Sequence, residues 1–267
     1  MARSNRFTGT TTDHDCPTVP TSGILANVRQ RLRLGFWYRL VVVVAKPLLR
    51  MFTTREYHGV DNIPREGGII VVANHVSEVD PFMVGEFLLD AGRPPRFLAK
   101  KELFRKAPVK WVLEGARQIP VDRGTGDAAN ALNAAVEALG RGECILIYPE
   151  GSATRDPQLW PMKARTGAAR LALLSGAPVI PVAQWGPQNV LAYKARKPHL
   201  LPRTPISVIA GPPVDLSPFV GQPVTSALLR EVTNTIMGAV TALLVELRGG
   251  VAPTVFYDPD KSKGEGA

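Results

Sequence analysis

With 267 residues, 45% of them apolar and 21% charged, the chain is long enough for a closed core and too apolar to be disordered throughout. Its formal charge of +9 points to an anionic partner, whether phospholipid surface, phosphorylated substrate or nucleic acid. Cys16 in a polar stretch and Cys144 entering an apolar strand fit neither a disulfide framework nor a metal site; with histidines scattered at 14, 58, 75 and 199, no metal is expected and a reducing cytoplasm is the default compartment.

Residues 1–22 are rich in Thr, Pro, Asp and Ser without a hydrophobic period, which predicts a disordered tail and no secretory signal. From residue 23 to 55 the character changes. Arg29, Arg31, Arg33, Arg39, Lys46, Arg50 and Arg55 occur with no acidic residue between Asp15 and Glu56, interleaved with Phe36, Trp37, Tyr38, Val41 to Val44, Leu48, Leu49, Met51 and Phe52. The central uncharged run, Leu40 to Ala45, is far short of the roughly 20 residues that span a bilayer. Basic residues mixed with aromatic and aliphatic ones suit helices lying in the headgroup layer of an anionic phospholipid membrane, with Pro47 kinking or dividing the segment. An amphipathic helix packed on the core is the competing reading.

Residues 56–248 carry alternating short apolar runs and helical patterns, the mark of an α/β domain with a mostly parallel or mixed sheet flanked by helices. Strands are predicted at 56–60, 69–73, 96–99, 118–121, 144–148, 179–184 and 206–210, and helices at 82–89, 109–115, 127–139, 163–175 and 225–247, with Gly176 a suitable residue past a helix end. From Gly249 to residue 267 a flexible C-terminal tail is expected.

The stretch Asn74 to Pro81, NHVSEVDP, follows a Gly67-Gly68 turn and the buried run Ile69 to Ala73. His75 and Asp80 stand five positions apart. On one helix that spacing sets them about 140° apart, so they meet only if the chain bends between them. Asp before Pro favours a helix start, with Asp80 as the cap. A carboxylate on one imidazole nitrogen raises the basicity of the other, making His75 a candidate general base. The plainer reading is a capping aspartate and a satisfied loop histidine.

Further along, Asp122-Arg123 closes a strand, where a guanidinium can fork two N–H groups onto a phosphate; a surface salt bridge is the competing reading. The run GTGDAA from Gly124 imitates a dinucleotide fingerprint, but the strand before it carries Pro120, Asp122 and Arg123 and lies mid-chain, which argues against a nucleotide site. Pro149-Glu150-Gly151 breaks an apolar strand. Gly151 permits close backbone approach to a ligand, a following helix N-terminus would offer N–H groups to phosphate, and Glu150 either orients a substrate hydroxyl or bonds backbone amides. Lys163 and Arg165 at a helix start, where the helix dipole does not favour cations, point either to an anion nearby or to simple solvated charges.

The His/Asp block resembles the HX4D block of the glycerolipid acyltransferase family, to which bacterial 1-acylglycerol-3-phosphate acyltransferases belong. Three further stretches match in order: GARQIPVDR at 115–123, YPEGSATR at 148–155 and VIPVAQ at 179–184. The resemblance covers roughly residues 55–215. It implies His75 as base and Asp80 as its orienter; Lys100, Arg123 and Arg155 on the phosphate; Glu150 orienting the glycerol, with Gly151 as a further substrate-binding position; and a fourth block that shapes the acyl pocket. One departure stands out: the family has arginine directly after the Ser/Thr, whereas this chain has Ala153 there and Arg155 two places on.

By that resemblance the protein transfers an acyl group from acyl-CoA or acyl carrier protein to lysophosphatidic acid, giving phosphatidic acid, with no cofactor, at the cytoplasmic face of the cell membrane as a peripheral or monotopic protein. Another lysophospholipid or glycerol phosphate are alternative acceptors. A thioesterase or serine hydrolase acting through Ser77 and a non-enzymatic lipid-binding module are the competing classes. Nucleic-acid binding is disfavoured, since the basic stretches carry aliphatic rather than base-stacking neighbours.

Overall fold

The computed structural model describes residues 36–105, 107, 109–121 and 127–259. The predicted tail at 1–22, the basic residues Arg29, Arg31 and Arg33, the Arg123 and Gly124 positions and residues 260–267 lie outside them.

Seven strands form one sheet in the order β1-β7-β6-β2-β5-β3-β4. They are β1 (Thr53–His58), β2 (Ile69–Ala73), β3 (Pro95–Lys100), β4 (Ile119–Val121), β5 (Cys144–Ile147), β6 (Val179–Trp185) and β7 (Thr204–Ala210). All neighbours are parallel except β6 and β7, so the sheet is mixed but mostly parallel. Its helices are α1 (Phe36–Phe52), α2 (Asp80–Asp90), α3 (Val109–Gly115), α4 (Asp127–Gly140), α5 (Gly167–Ser175), the short α6 (Pro187–Val190) and α7 (Ser226–Arg248).

The central strand β2 reads Ile-Ile-Val-Val-Ala and is buried along its whole length. That is what a parallel strand covered on both faces requires. Alternate side chains feed two cores. Ile69 and Val71 pack with Met83, Val84 and Phe87 of α2, whereas Ile70 and Val72 join Ala135 of α4, Ala168 and Leu171 of α5 and Val232 and Ile236 of α7. The domain is thus three layers deep. The turn that feeds β2 needs its two glycines for different reasons: Gly67 has φ 78, and a Cβ on Gly68 would sit 2.2 Å from the Leu139 carbonyl oxygen.

Helix α1 runs unbroken through Pro47, so the expected division does not occur. Proline removes only the bond from its own nitrogen to the carbonyl of Val43, and both residues are exposed, where that carbonyl is not trapped without a partner. Helix α5 starts at Gly167 rather than Lys163. The Lys163 N–H donates to the Tyr257 carbonyl at 2.9 Å and the Arg165 N–H to that of Pro149 at 2.9 Å, so this run is held extended before the helix begins. Gly176, with φ 65, ends it.

Helix α7 is the one described helix long and apolar enough to cross a membrane by length and composition. Leu229, Val232, Ile236, Val240 and Leu244 lie buried along it, as in a core helix. The segment expected to trail loosely from Gly249 makes specific contacts as far as Pro259. Tyr257 forms a bridge with Met162, Asp258 pairs with Lys163 at 2.8 Å, and the Arg248 guanidinium at the end of α7 lies 4.3 Å from the ring centres of both Trp160 and Trp185.

Candidate active site

Because β2, β3, β4 and β5 are mutually parallel, their C-terminal ends share one edge of the sheet. His75 follows β2, Lys100 ends β3, opposite Val121 of β4, and Glu150 follows β5. Of the expected site residues, only Arg123 lies outside the described chain, and the Lys100 side chain is likewise not described.

Between β2 and α2 the chain bends as the spacing demands. His75 Nδ1 stands 2.7 Å from Asp80 Oδ2, with the aspartate side chain fully buried and the imidazole 15% exposed. Asp80 is not the expected helix cap. It is the first helical residue, Val79 holds the cap position without a side-chain bond, and Asp80 Oδ2 instead accepts from the backbone N–H groups of Val76 (2.6 Å) and Ser77 (2.9 Å). The carboxylate clamps the bend in front of it rather than the helix behind it. An oxygen already accepting from two N–H groups takes a third proton only as an acceptor, so Nδ1 carries the hydrogen and Nε2 is left basic. Burial pushes the Asp80 carboxyl above its ordinary value; the hydrogen bond from His75 and the two backbone donors oppose this.

Glu150 departs from the role that the resemblance implies. It is buried, and both its oxygens receive backbone donors: Oε1 from the His75 N–H at 2.8 Å and Oε2 from the Met162 N–H at 2.8 Å. Its two backbone bonds fix the main chain at His75 and Met162, the alternative to orienting a substrate hydroxyl. Burial drives its carboxyl up to about 8, against the pull of those two N–H groups. The Thr154 N–H completes the grip on His75 by donating to its carbonyl at 2.7 Å. The third block thus holds the first.

Gly151 has φ 80 and lines the cavity beside the imidazole, but no helix follows it; turns and extended chain run to Gly167. Arg155 is exposed and stands outside the cavity wall, whereas Arg165 and Arg170 belong to it. Arg165 was visible in the sequence as a cation at an unfavourable helix start; Arg170 carried no such signal. Ser77 is fully buried and its hydroxyl donates to the Leu191 carbonyl at 2.6 Å, so it is not offered to the cavity.

The cavity itself holds about 1170 Å³. It exists because β3 leaves β5: the two pair only from Pro95 to Phe97, and from Leu98 onward β3 pairs with β4. Through that opening the wall draws on both cores, Phe97 and Leu146 from the α2 layer, Leu98, Ile147, Ala135 and Leu171 from the α4–α5 layer. Val42 and Leu49 of α1 and Val112 of α3 complete it. Lys46 and Glu86 also reach the wall, inside a network in which Glu86 receives Arg50 (2.8 Å) and Arg55 (2.6 Å), and Lys46 pairs with Asp90. An imidazole base at the rim of an apolar cavity, with cations beside it, suits proton removal from the hydroxyl of an anionic amphiphile.

Comparison with known proteins agrees with this geometry. The acyltransferase family pattern matches residues 54–185, the run that contains both the His75 bend and Glu150. The 1-acyl-sn-glycerol-3-phosphate acyltransferase of Bacillus subtilis is 27% identical over 152 residues, which span 57% of this chain and 73% of that protein. The lyso-ornithine lipid O-acyltransferase of Pseudomonas aeruginosa is 33% identical over 153 residues, 57% of this chain and 54% of that one. The crystal structure of the 1-acyl-sn-glycerophosphate acyltransferase of Thermotoga maritima shares the fold, with a TM-score of 0.60 at 23% identity over 81% of each chain. Residues 54–185 thus carry an acyltransferase domain, and the relatives they resemble are acyltransferases named for 1-acyl-sn-glycerol-3-phosphate and for lyso-ornithine lipid.

Proposed function

We propose that the protein transfers a fatty acyl group from a thioester, acyl-CoA or acyl carrier protein, to the free hydroxyl of lysophosphatidic acid, giving phosphatidic acid. The observation that carries this reading is the 2.7 Å contact of His75 Nδ1 with Asp80 Oδ2 at the wall of a large apolar cavity.

His75 Nε2 takes the hydroxyl proton as the oxygen attacks the thioester carbonyl. The tetrahedral adduct expels the thiolate, which receives that proton from the imidazolium, and Asp80 balances the charge in between. No acyl-enzyme is formed, in keeping with a Ser77 hydroxyl already bonded to Leu191. Arg165 and Arg170, with Lys100 and Arg123, neutralise the acceptor phosphate, and the apolar cavity takes alkyl chain.

Helix α1 supports a membrane-surface location. Phe36 (73% exposed), Leu40, Val43 (68%), Val44, Leu48 and Met51 are all exposed. At about 100° per residue they share one side of the helix, while Val42, Ala45 and Leu49 face the cavity. An outward apolar face flanked by Arg39 and Arg50 fits the boundary between headgroups and acyl chains of an anionic membrane, at its cytoplasmic face.

The test is to incubate purified protein with acyl-CoA and a panel of lysolipids and identify products by mass, with His75→Ala as control. Phosphatidic acid as main product, absent in the variant, is the expected result. The panel includes lyso-ornithine lipid, because a relative is named for it and its headgroup lacks phosphate. A preference for that acceptor replaces the present assignment, and transfer that survives His75→Ala removes the mechanism.

A further inference from the structure

At the dyad and the side chains next to it, three buried polar atoms have no hydrogen-bond partner among the described residues: Asp80 Oδ1, the Tyr148 hydroxyl and Gln184 Oε1. Buried polar atoms are almost always paired, so three such atoms around one dyad call for an account. Tyr148 lies against the His75 ring, with centroids 4.6 Å apart. Gln184 is pinned beside it: its Nε2 donates to the Asn74 carbonyl at 3.0 Å and its N–H to Asn74 Oδ1 at 2.8 Å, which leaves Oε1 as its remaining polar atom. Burial holds the Tyr148 hydroxyl well above its ordinary value and the Asp80 charge adds to this. The Gln184 side chain acts in the opposite sense, close enough to interact without closing a bond of ordinary geometry.

The hydrogen count is specific. Asp80 Oδ1 and Gln184 Oε1 can only accept, and Tyr148 brings one donor. One donor cannot satisfy two acceptors, but one water can, by accepting from Tyr148 and donating to both oxygens, the three bonds typical of a buried water. We infer that a single buried water joins Tyr148, Gln184 and the second oxygen of Asp80, making Tyr148 and Gln184 positioning residues that set the proton affinity of the His75–Asp80 pair. The inference rests on the assignment of His75 as the base.

Tyr148→Phe keeps the ring against His75 and removes the donor. The water then loses one of its three bonds and its donation to Asp80 Oδ1 weakens, which destabilises the ionised carboxylate, so the dyad holds its proton more tightly. The acidic limb of kcat/KM and the His75 ring titration followed by NMR both move up by about one pH unit, with KM for the acceptor unchanged. Curves that coincide with those of the parent overturn the inference. A crystal structure of the unaltered protein at a resolution that shows waters decides independently: a water within hydrogen-bond reach of all three atoms supports the junction, and a dry junction sinks it. Because the ring titration needs no turnover, it judges the junction even if His75→Ala proves active and the base assignment falls.

Discussion

The His75–Asp80 bend and helix α1 both line one cavity, yet they are held in opposite ways. In the bend the His75 N–H, its carbonyl and the next two N–H groups each have a named partner, supplied by Glu150, Thr154 and Asp80. On α1 the outer face is exposed apolar surface, Val43 and Val44 among it, and the helix is tied down through Lys46, Arg50 and Arg203, which donates to the Arg50 carbonyl at 2.7 Å. The difference reflects what each part does. Proton transfer depends on placement to a fraction of an ångström, which hydrogen bonds provide. Holding a lipid surface depends on apolar area, which needs no fixed register.

That contrast can be broken at either side. The largest effect is expected from His75→Ala, a fall of about 10³-fold in kcat measured by steady-state transfer, with calorimetry showing a cooperative unfolding transition retained. Next, Val43→Glu combined with Val44→Glu on the outer face of α1 weakens binding to anionic vesicles by about 100-fold, from the apolar burial lost at two valines, and leaves turnover of a dispersed short-chain acceptor intact. Unchanged vesicle binding would return α1 to the status of a packed helix with an idle face.

Glu150→Gln sets an amide nitrogen against a backbone N–H of His75 or Met162 and costs about 2 kcal/mol, read as a lower denaturation midpoint. Its pH dependence follows from the raised carboxyl. A group whose folded value, about 8, lies above its unfolded value of 4.5 favours folding fully below the lower value and loses that contribution as pH rises through the upper. The parent therefore loses stability from this group between about pH 4.5 and 8, and the glutamine variant shows a flatter profile over that window. Smallest is Arg165→Ala: KM for a phosphate-bearing acceptor rises about tenfold with little change in kcat, and an equal change for an uncharged acceptor would mean that the arginine only packs.

Most of the sheet and the bend were legible because their signals are local. Ile69 to Ala73 is continuously apolar, glycines precede it, and a histidine and an aspartate too far apart for one helix face require a turn. The long-range partners were not legible. Nothing around Glu150 in the sequence says that its two donors come from residues 75 and 162, so its carboxylate reads as readily for a substrate ligand. The late start of α5 has the same origin, since Tyr257 and Pro149 capture residues that helical periodicity would enrol. Asp80 shows the limit of a local rule. Asp-Pro does mark the helix start, but the carboxylate turns backward because the preceding bend offers two N–H groups and an imidazole at once.

The bridge between Met162 and Tyr257 has a kinetic corollary. Met162 feeds one oxygen of Glu150, and the other fixes the histidine backbone, so a motif written early in the chain is held through strands of contact that close only late. A nascent domain can bury β2 and form the bend by itself, but its imidazole gains its full restraint only when the stretch around Tyr257 docks. Such distant closures are slow steps in folding, and catalytic competence should trail compaction rather than accompany it.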